Sequence, residues 1–392
     1  MESLHSTRRT DEQPCVLHVM TRYLRGGSEK RLRDMVEAYP RATHVLIVGD
    51  DSSPAAARSE MELASVRVVP TLVRQPSPID DLRALVTIWR IMRALSPDLV
   101  VTHQSKAGVL GRLCARRLRI PNVSSLSMAN FGPGYPAPLS SLYRTLERGL
   151  RRSTTAYAVV GQDLARRYEE IGVPRNKLRV VRSGVRLPTD EDGPLRPEGL
   201  RRDLRIPPTR TLIAYLGSLE PRKNVLDLLE VLEGVHERAE DRPFLAIAGE
   251  GPLAEALDRS IRHRGLTSDA ALIGFVEAPL SLIAEADAVV LLSQAEGLSQ
   301  VLVQAAALDT PFVAYQVDGV GELIELGARG RTISIGDVSA AADAIVEVLG
   351  WPRGASVASI DLTDWTPAAI RRDYQDLFSS VMRPDPTLHP AG

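Results

Sequence analysis

The sequence predicts an α/β protein of two doubly wound domains that face each other across a cleft. Three observations predict it. Short β-rich runs alternate with amphipathic helical stretches along nearly the whole chain, several of those runs are continuously apolar, and one break rich in proline, glycine and acids divides the alternation in two. Continuously apolar strands suit a parallel sheet covered on both faces. Alternation of β and α at this spacing implies right-handed crossovers. At 392 residues the chain also exceeds one ordinary core, on a prior of about 150 residues per domain.

In the first half, strands are expected at 15–20, 44–49, 66–72, 99–103, 122–126, 156–161 and 178–182. Helical patterns lie between them at 29–39, 80–95, 106–118, 139–152 and 162–171. Residues 187–199 (LPTDEDGPLRPEG) have no apolar periodicity and read as a linker. The alternation then restarts, with strands at 211–216, 244–248, 271–275, 288–292 and 311–315 and helices at 225–238, 253–264, 299–308 and 339–349. A shorter helix and strand precede the last of these, and 365–382 reads as one more helix. The expected organisation is a polar tail (1–13), a first domain (14–186), the linker (187–199), a second domain (200–364), and a C-terminal helix and tail (365–392).

Composition narrows the class. With 44% hydrophobic and 25% charged residues, the chain is that of a soluble globular protein. No run approaches the roughly 18–20 apolar residues of a membrane span. The first dozen residues lack an apolar core, so no secretory signal is read. Cys15 and Cys114 each sit in an apolar segment, as buried free thiols of a reducing compartment would. A cytoplasmic location is expected. The net charge of −1 conceals a split: residues 1–187 carry 30 Lys+Arg against 17 Asp+Glu, and the remainder 18 against 32. Such halves meet different partners.

Chemistry is expected in the loops at the carboxyl ends of the strands, where open α/β sheets bind ligands. The first βα loop carries Gly26 and Gly27 directly before a helix, a place where backbone can approach an anion. The first loop of the second half reads Gly217-Ser218-Leu-Glu-Pro-Arg222-Lys223-Asn224, and its two cations suit a diphosphate. Turns at 248–252 and 273–276 could present backbone to a base, or could be plain tight turns. The stretch 293–314 is more specific. Glu296 lies in a loop at the crevice, Gly297, Leu298 and Ser299 open a helix, and Gln304 lies one to two turns further in. A carboxylate in that loop can accept hydrogen bonds from sugar hydroxyls.

These residues resemble glycosyltransferase family 4, the retaining GT-B enzymes, whose two domains are Rossmann-like. The matching pieces are GGSE (26–29), SKAGVLGRLCARRLRIP (105–121), GV (184–185), GSLEPRKN (217–224), AGEGPL (248–253), IGFV (273–276), EGLSQVLVQAAALDTPFVA (296–314) and GVGELI (319–324). The resemblance implies a nucleotide-sugar donor, with Gly26 and Gly27 facing its phosphate and sugar. Lys223 would contact the diphosphate with Arg222 flanking it, and amides at Gly297, Leu298 and Ser299 would hold the distal phosphate. Glu296, the first acid of the family's E-x7-E motif, would contact the hexose, and Phe275 and Val276 would lie near the base. Three positions depart from the pattern: Gln304 replaces the second acid, Ser218 an arginine, and Ser127 a histidine. His103 could stand in for that histidine or be a structural one, and Asn130 lies in the glycine- and aromatic-rich stretch 129–135 expected to touch the acceptor or sugar.

The implied activity is transfer of a sugar with retention of configuration, Glu296 and Lys223 carrying the catalysis. Alternatives left open are a non-catalytic nucleotide-sugar-binding partner of the same fold and a nucleotide-sugar 2-epimerase. Neither a carboxylate cluster nor His/Cys metal spacing is seen, so no metal or cofactor is expected. No nucleic-acid partner is expected either. Arg112, Arg116 and Arg119, and again Arg144, Arg148 and Arg151, fall at i, i+4, i+7. Such stripes suit an anionic acceptor, contact with an anionic membrane surface, or a plain solvated helix face.

Overall fold

The computed structural model describes residues 13–23, 27–50, 52, 57, 61–103, 105–188, 200–204, 206–352 and 360–382. Gly26, nearly all of the polar tail and linker, and the extreme C-terminal residues lie outside them. The first half is a parallel sheet of seven strands: β1 (Cys15–Met20), β2 (Thr43–Val48), β3 (Ser65–Val68), β4 (Leu99–His103), β5 (Asn122–Leu126), β6 (Ala156–Val159) and β7 (Leu178–Val180). Their order is β3-β2-β1-β4-β5-β6-β7. Its helices are α1 (Gly27–Ala38), α2 (Pro78–Leu95), α3 (Ser105–Leu118), α4 (Ala137–Leu150) and α5 (Gln162–Glu170).

The second half is a six-stranded parallel sheet in the order β10-β9-β8-β11-β12-β13. Its strands are β8 (Leu212–Leu216), β9 (Phe244–Ala248), β10 (Ala270–Gly274), β11 (Ala288–Leu291), β12 (Phe312–Tyr315) and β13 (Gly330–Ile333). Helices α6 (Leu200–Asp203), α7 (Asp227–Arg238), α8 (Ala254–His263), α9 (Pro279–Glu285), α10 (Gln300–Ala307), α11 (Val320–Glu325) and α12 (Val338–Leu349) accompany them, and α13 (Pro367–Met382) is the last helix among the described residues. The two-sheet GT-B architecture expected from sequence is the one observed. Among the described residues no helix is long and apolar enough to cross a membrane.

Local chemistry accounts for the boundaries. Before α2, Ser77 is extended, Pro78 pre-sets the first helical φ, and Asp80 and Asp81 face the positive end of the helix. Ser77 Oγ donates to Asp80 at 2.7 Å. The strand expected at 66–72 stops at Val68, because Pro70 lacks the N–H that a continuing ladder needs. Helix α9 was not foreseen; seven residues are too few to show a period.

The last helix crosses back to the first half. Ile370, Tyr374, Leu377 and Phe378 pack against Val16, Leu99, Val123 and Val181 on one face of the first sheet. Gln375 Nε2 donates to the Ala38 carbonyl at 2.9 Å, tying α13 to the end of α1. On the opposite face α3 packs against both α2 and α4. Here the arginine stripe expected on α3 is corrected. Arg112 is fully buried in a two-pronged pair with Glu147 of α4, at 2.6 and 2.9 Å. Burial works against its charge, but Glu147 outweighs burial and the pKa of Arg112 is raised.

Three histidines form a line through the first sheet. His44 Nε2 lies 2.9 Å from the Tyr39 carbonyl, His18 Nε2 lies 3.0 Å from His44 Nδ1, and His103 Nε2 lies 3.3 Å from His18 Nδ1. A carbonyl only accepts, so His44 Nε2 carries the proton. The same logic makes His18 donate to His44 and His103 donate to His18. Burial lowers the pKa of all three, that of His103 to about 3. Their folded values lie below the unfolded value near 6.5, so their contribution is present above that pH and is lost as pH falls. The loss approaches ~1.4 kcal/mol per pH unit for each imidazole. Urea unfolding midpoints should therefore decline below pH ~6.5, and His18→Asn should flatten that slope.

Candidate functional site

Strand order reverses twice, between β1 and β4 and between β8 and β11. At each reversal the chain leaves adjacent strands in opposite directions and opens a crevice at their carboxyl ends. In the second half the loops flanking that crevice are stitched together. Gln294 N donates to the Arg222 carbonyl at 2.9 Å, Gln294 Nε2 donates to Asn224 Oδ1 at 2.8 Å, and Arg222 Nη1 donates to the Ala295 carbonyl at 2.6 Å. Lys223 ends a single 3-10 turn, and Asn224 follows in the left-handed region at φ 49°. This geometry brings Lys223 Nζ to 2.5 Å from Glu296 Oε1, with Arg222 Nη1 3.6 Å from the same oxygen.

Burial alone would push the Glu296 carboxyl up. The Lys223 ammonium and Arg222 guanidinium outweigh it, and its pKa is held below the ordinary value. The result is an ionised carboxylate between two cations at a strand reversal, suited to a ligand carrying both a diphosphate and hydroxyl groups. Neighbouring loops are held as firmly. A Cβ at Gly249 would stand 1.8 Å from the Gly217 carbonyl oxygen, so only glycine allows these backbones to touch. Tyr215 OH donates to the Ser218 carbonyl at 3.0 Å, so Ser218 enters this network through its backbone.

The remaining sequence-predicted residues fall into three groups. Gly297, Leu298 and Ser299 run into α10, for which Ser299 is the extended N-cap. A Cβ at Gly297 would lie 1.9 Å from the Ser127 carbonyl oxygen, and Leu298 packs against the cores of both halves. Phe275 projects from the end of β10 with 67% of its surface exposed, and Val276 leans on the second core. Gln304 is buried, and its Nε2 donates to the Arg186 carbonyl at 3.0 Å, which anchors the segment leaving the first half. Gly27 begins α1.

In the first half, His103 is 1% exposed and its Nε2 faces His18 rather than the crevice. Ser127 and Asn130 line a cavity of about 460 Å³, together with Thr21, Arg22, Arg74, Lys106 and Tyr135. Asn130 Nδ2 also donates to Glu147 at 3.1 Å. Lys106 is paired with Asp81 at 2.6 Å. Met128 borders this cavity and also a smaller one that reaches Glu296, so the two regions adjoin.

Sequence reasoning missed an ionic belt joining the halves. Arg182 pairs with Glu322 at 2.5 Å, both buried, while Glu322 Oε2 accepts from Gln162 N at 2.9 Å. Arg167 pairs with Asp318 at 2.5 Å, and Asp163 Oδ2 accepts from Gly319 N at 2.9 Å. Arg182 also lies over the Trp365 ring, 4.4 Å from its centroid. Partners 140 to 160 residues apart leave no local pattern, although GVGELI contains Glu322. Replacing Glu322 with alanine should cost ~3–5 kcal/mol, as expected for a buried guanidinium left alone. Thermal unfolding checks the cost, and small-angle scattering should show a larger radius of gyration as the halves separate.

Two family models match the chain: "Glycosyl transferase 4-like domain" over residues 26–184 and "Glycosyl transferases group 1" over residues 198–353. The chain is 27% identical over 296 residues to the UDP-Gal:alpha-D-GlcNAc-diphosphoundecaprenol alpha-1,3-galactosyltransferase of Escherichia coli, covering 71% of this chain and 73% of that one. In fold it is similar to Anabaena HepE, solved in complex with UDP-glucose, with a TM-score of 0.65 at 19% identity over 94% of this chain and 95% of that one. It is also similar to WaaG, a glycosyltransferase involved in lipopolysaccharide biosynthesis, with a TM-score of 0.63 at 14% identity over 93% and 95%.

Proposed function

Because the chain belongs to the group 1 glycosyltransferases, hexosyltransferases of the GT-B fold, we propose that it moves a hexose with retention from a nucleoside-diphosphate sugar to an anionic acceptor seated on its first half. The observation that carries this reading is the meeting of Lys223, Arg222 and Glu296 where β8 and β11 diverge. The donor's diphosphate lies against Lys223 and Arg222, with its distal phosphate at the amides of Leu298 and Ser299. Glu296 accepts from hexose hydroxyls. The base lies by Phe275 and Val276, and Gln304, whose amide nitrogen is engaged, offers its carbonyl oxygen to the ribose. Gly26 and Gly27 face the phosphate and sugar from the first half.

In the reaction, the bond from the anomeric carbon to the distal phosphate oxygen breaks while the acceptor oxygen bonds to the same carbon. The departing phosphate oxygen takes the acceptor's proton, so a separate protein base is unnecessary. Negative charge grows on that phosphate in the transition state, beside the Lys223 ammonium and the amides before α10. The cavity that reaches from Thr21 to Tyr143 holds the acceptor, with Ser127 and Asn130 on its wall. A UDP-sugar donor is supported by the galactosyltransferase relative and by the UDP-glucose complex of HepE. The same relative's diphosphoundecaprenol-linked acceptor supports a phosphate-bearing, polyprenol-linked acceptor.

Loss of one preorganised contact costs about 3 kcal/mol, or 10²–10³ in rate. Lys223→Ala and Glu296→Ala should each fall by that factor when UDP-glucose and UDP-galactose turnover is measured by UDP release. Near-normal rates in both variants would refute the site assignment. Phe275→Ala should raise the KM for the UDP-sugar with little change in kcat, since a base contact is made equally in ground and transition states.

A further inference from the structure

Four of the exposed large apolar side chains of the first half, Ile79, Leu82, Val86 and Leu142, stand on α2 and α4. Ile79 and Leu82 keep 67% and 62% of their surface exposed, in the first turns of α2. Both helices begin at the rim of the 460 Å³ cavity, to which Pro76, Leu139 and Tyr143 contribute wall. Further from the rim the same helix surfaces turn basic. Exposed Arg83, Arg90 and Arg93 continue the α2 face, Arg144 and Arg148 the α4 face, and Arg116 and Arg117 the end of α3 between them. Residues 73–152 carry 13 Lys+Arg against 4 Asp+Glu, a balance of +9. Of those four acids, Glu147 is consumed inside by Arg112 and Asp81 by Lys106.

We propose that the outer face of α2, α3 and α4 is a docking surface for an anionic lipid bilayer. Aliphatic side chains next to the cavity mouth enter the boundary between head groups and acyl chains, and the arginines beyond them meet lipid phosphates. An aliphatic ridge bordered by cations is complementary to such a surface on both counts. A second copy of the same face would bring two balances of +9 together, which works against self-association. The deeper consequence rests on the proposed acceptor cavity: docking by this face turns the cavity mouth to the bilayer, so a lipid-borne phosphate can enter without leaving the membrane.

Sedimentation of the full chain with phosphatidylcholine vesicles, with and without phosphatidylglycerol, tests the surface apart from any turnover. Binding is expected only with phosphatidylglycerol and should weaken as salt rises. The double variant Ile79→Ser/Leu82→Ser and the triple variant Arg83→Glu/Arg90→Glu/Arg144→Glu should each lower the partition coefficient about tenfold or more. Their thermal midpoints should match the parent, and Leu226→Ser, an exposed apolar position of the other half, should bind as the parent does. No sedimentation, or equal sedimentation with both vesicles, overturns the proposal. So does a dimer in sedimentation velocity that Ile79→Ser/Leu82→Ser dissolves. If vesicle binding fails while Lys223→Ala still abolishes transfer, the docking surface is wrong and the donor site stands. The reverse pattern condemns only the donor site.

Discussion

The geometry of the candidate site depends on a backbone hydrogen bond from Gln294 to the Arg222 carbonyl, across the point where β8 and β11 send their chains apart. That bond joins a loop bearing two cations to one bearing a carboxylate. Unjoined, the two loops would leave Lys223 and Glu296 as separate exposed charges, each solvated and of little energetic consequence. Joined, they share one crevice wall, and Glu296 remains ionised despite burial because both cations stand beside it. The Gly249–Gly217 contact and the Gln294–Asn224 amide pair hold the same wall from behind. Preorganisation here is a property of the loops' backbone as much as of their side chains.

Joining the two halves requires a different solution. The second half meets the first through residues that bring charge into a buried interface, Arg182 with Glu322 and Arg167 with Asp318. Ion pairs of this kind gain little net stability over apolar contacts, but they demand one orientation. Gly297 adds a steric condition, since its backbone lies against Ser127 with no room for a side chain. Orientation matters because the loops bearing Lys223 and Glu296 and the proposed acceptor cavity lie on opposite halves and adjoin at Met128, which borders both cavities.

Much of this was legible in the sequence. Strands β1, β4, β5 and β9, buried along their whole length, begin and end where their patterns do, since burial on both faces leaves no ambiguity of period. Lys223, Arg222 and Glu296 could be read because they sit in loops that a doubly wound sheet must bring together. The rest depended on distant partners. Arg112 matched a surface stripe by spacing, yet Glu147, 35 positions away, draws it inside. Gln304 also holds the Arg186 carbonyl through its amide nitrogen, a partner 118 positions away. His103 fits a line of imidazoles assembled by strand order, which no local pattern discloses.

The return of α13 to the first sheet has a consequence for how the chain is made. The sheet face formed by Val16, Leu99 and Val123 is covered by Ile370, Tyr374 and Phe378, residues that follow the whole second half. A ribosome releases that cover only after the whole second half. Until it emerges, the earlier-made half carries an open apolar flank, so its completion waits on that helix rather than on its own translation. Deleting residues 367–382 would thus injure the half most distant from them in sequence.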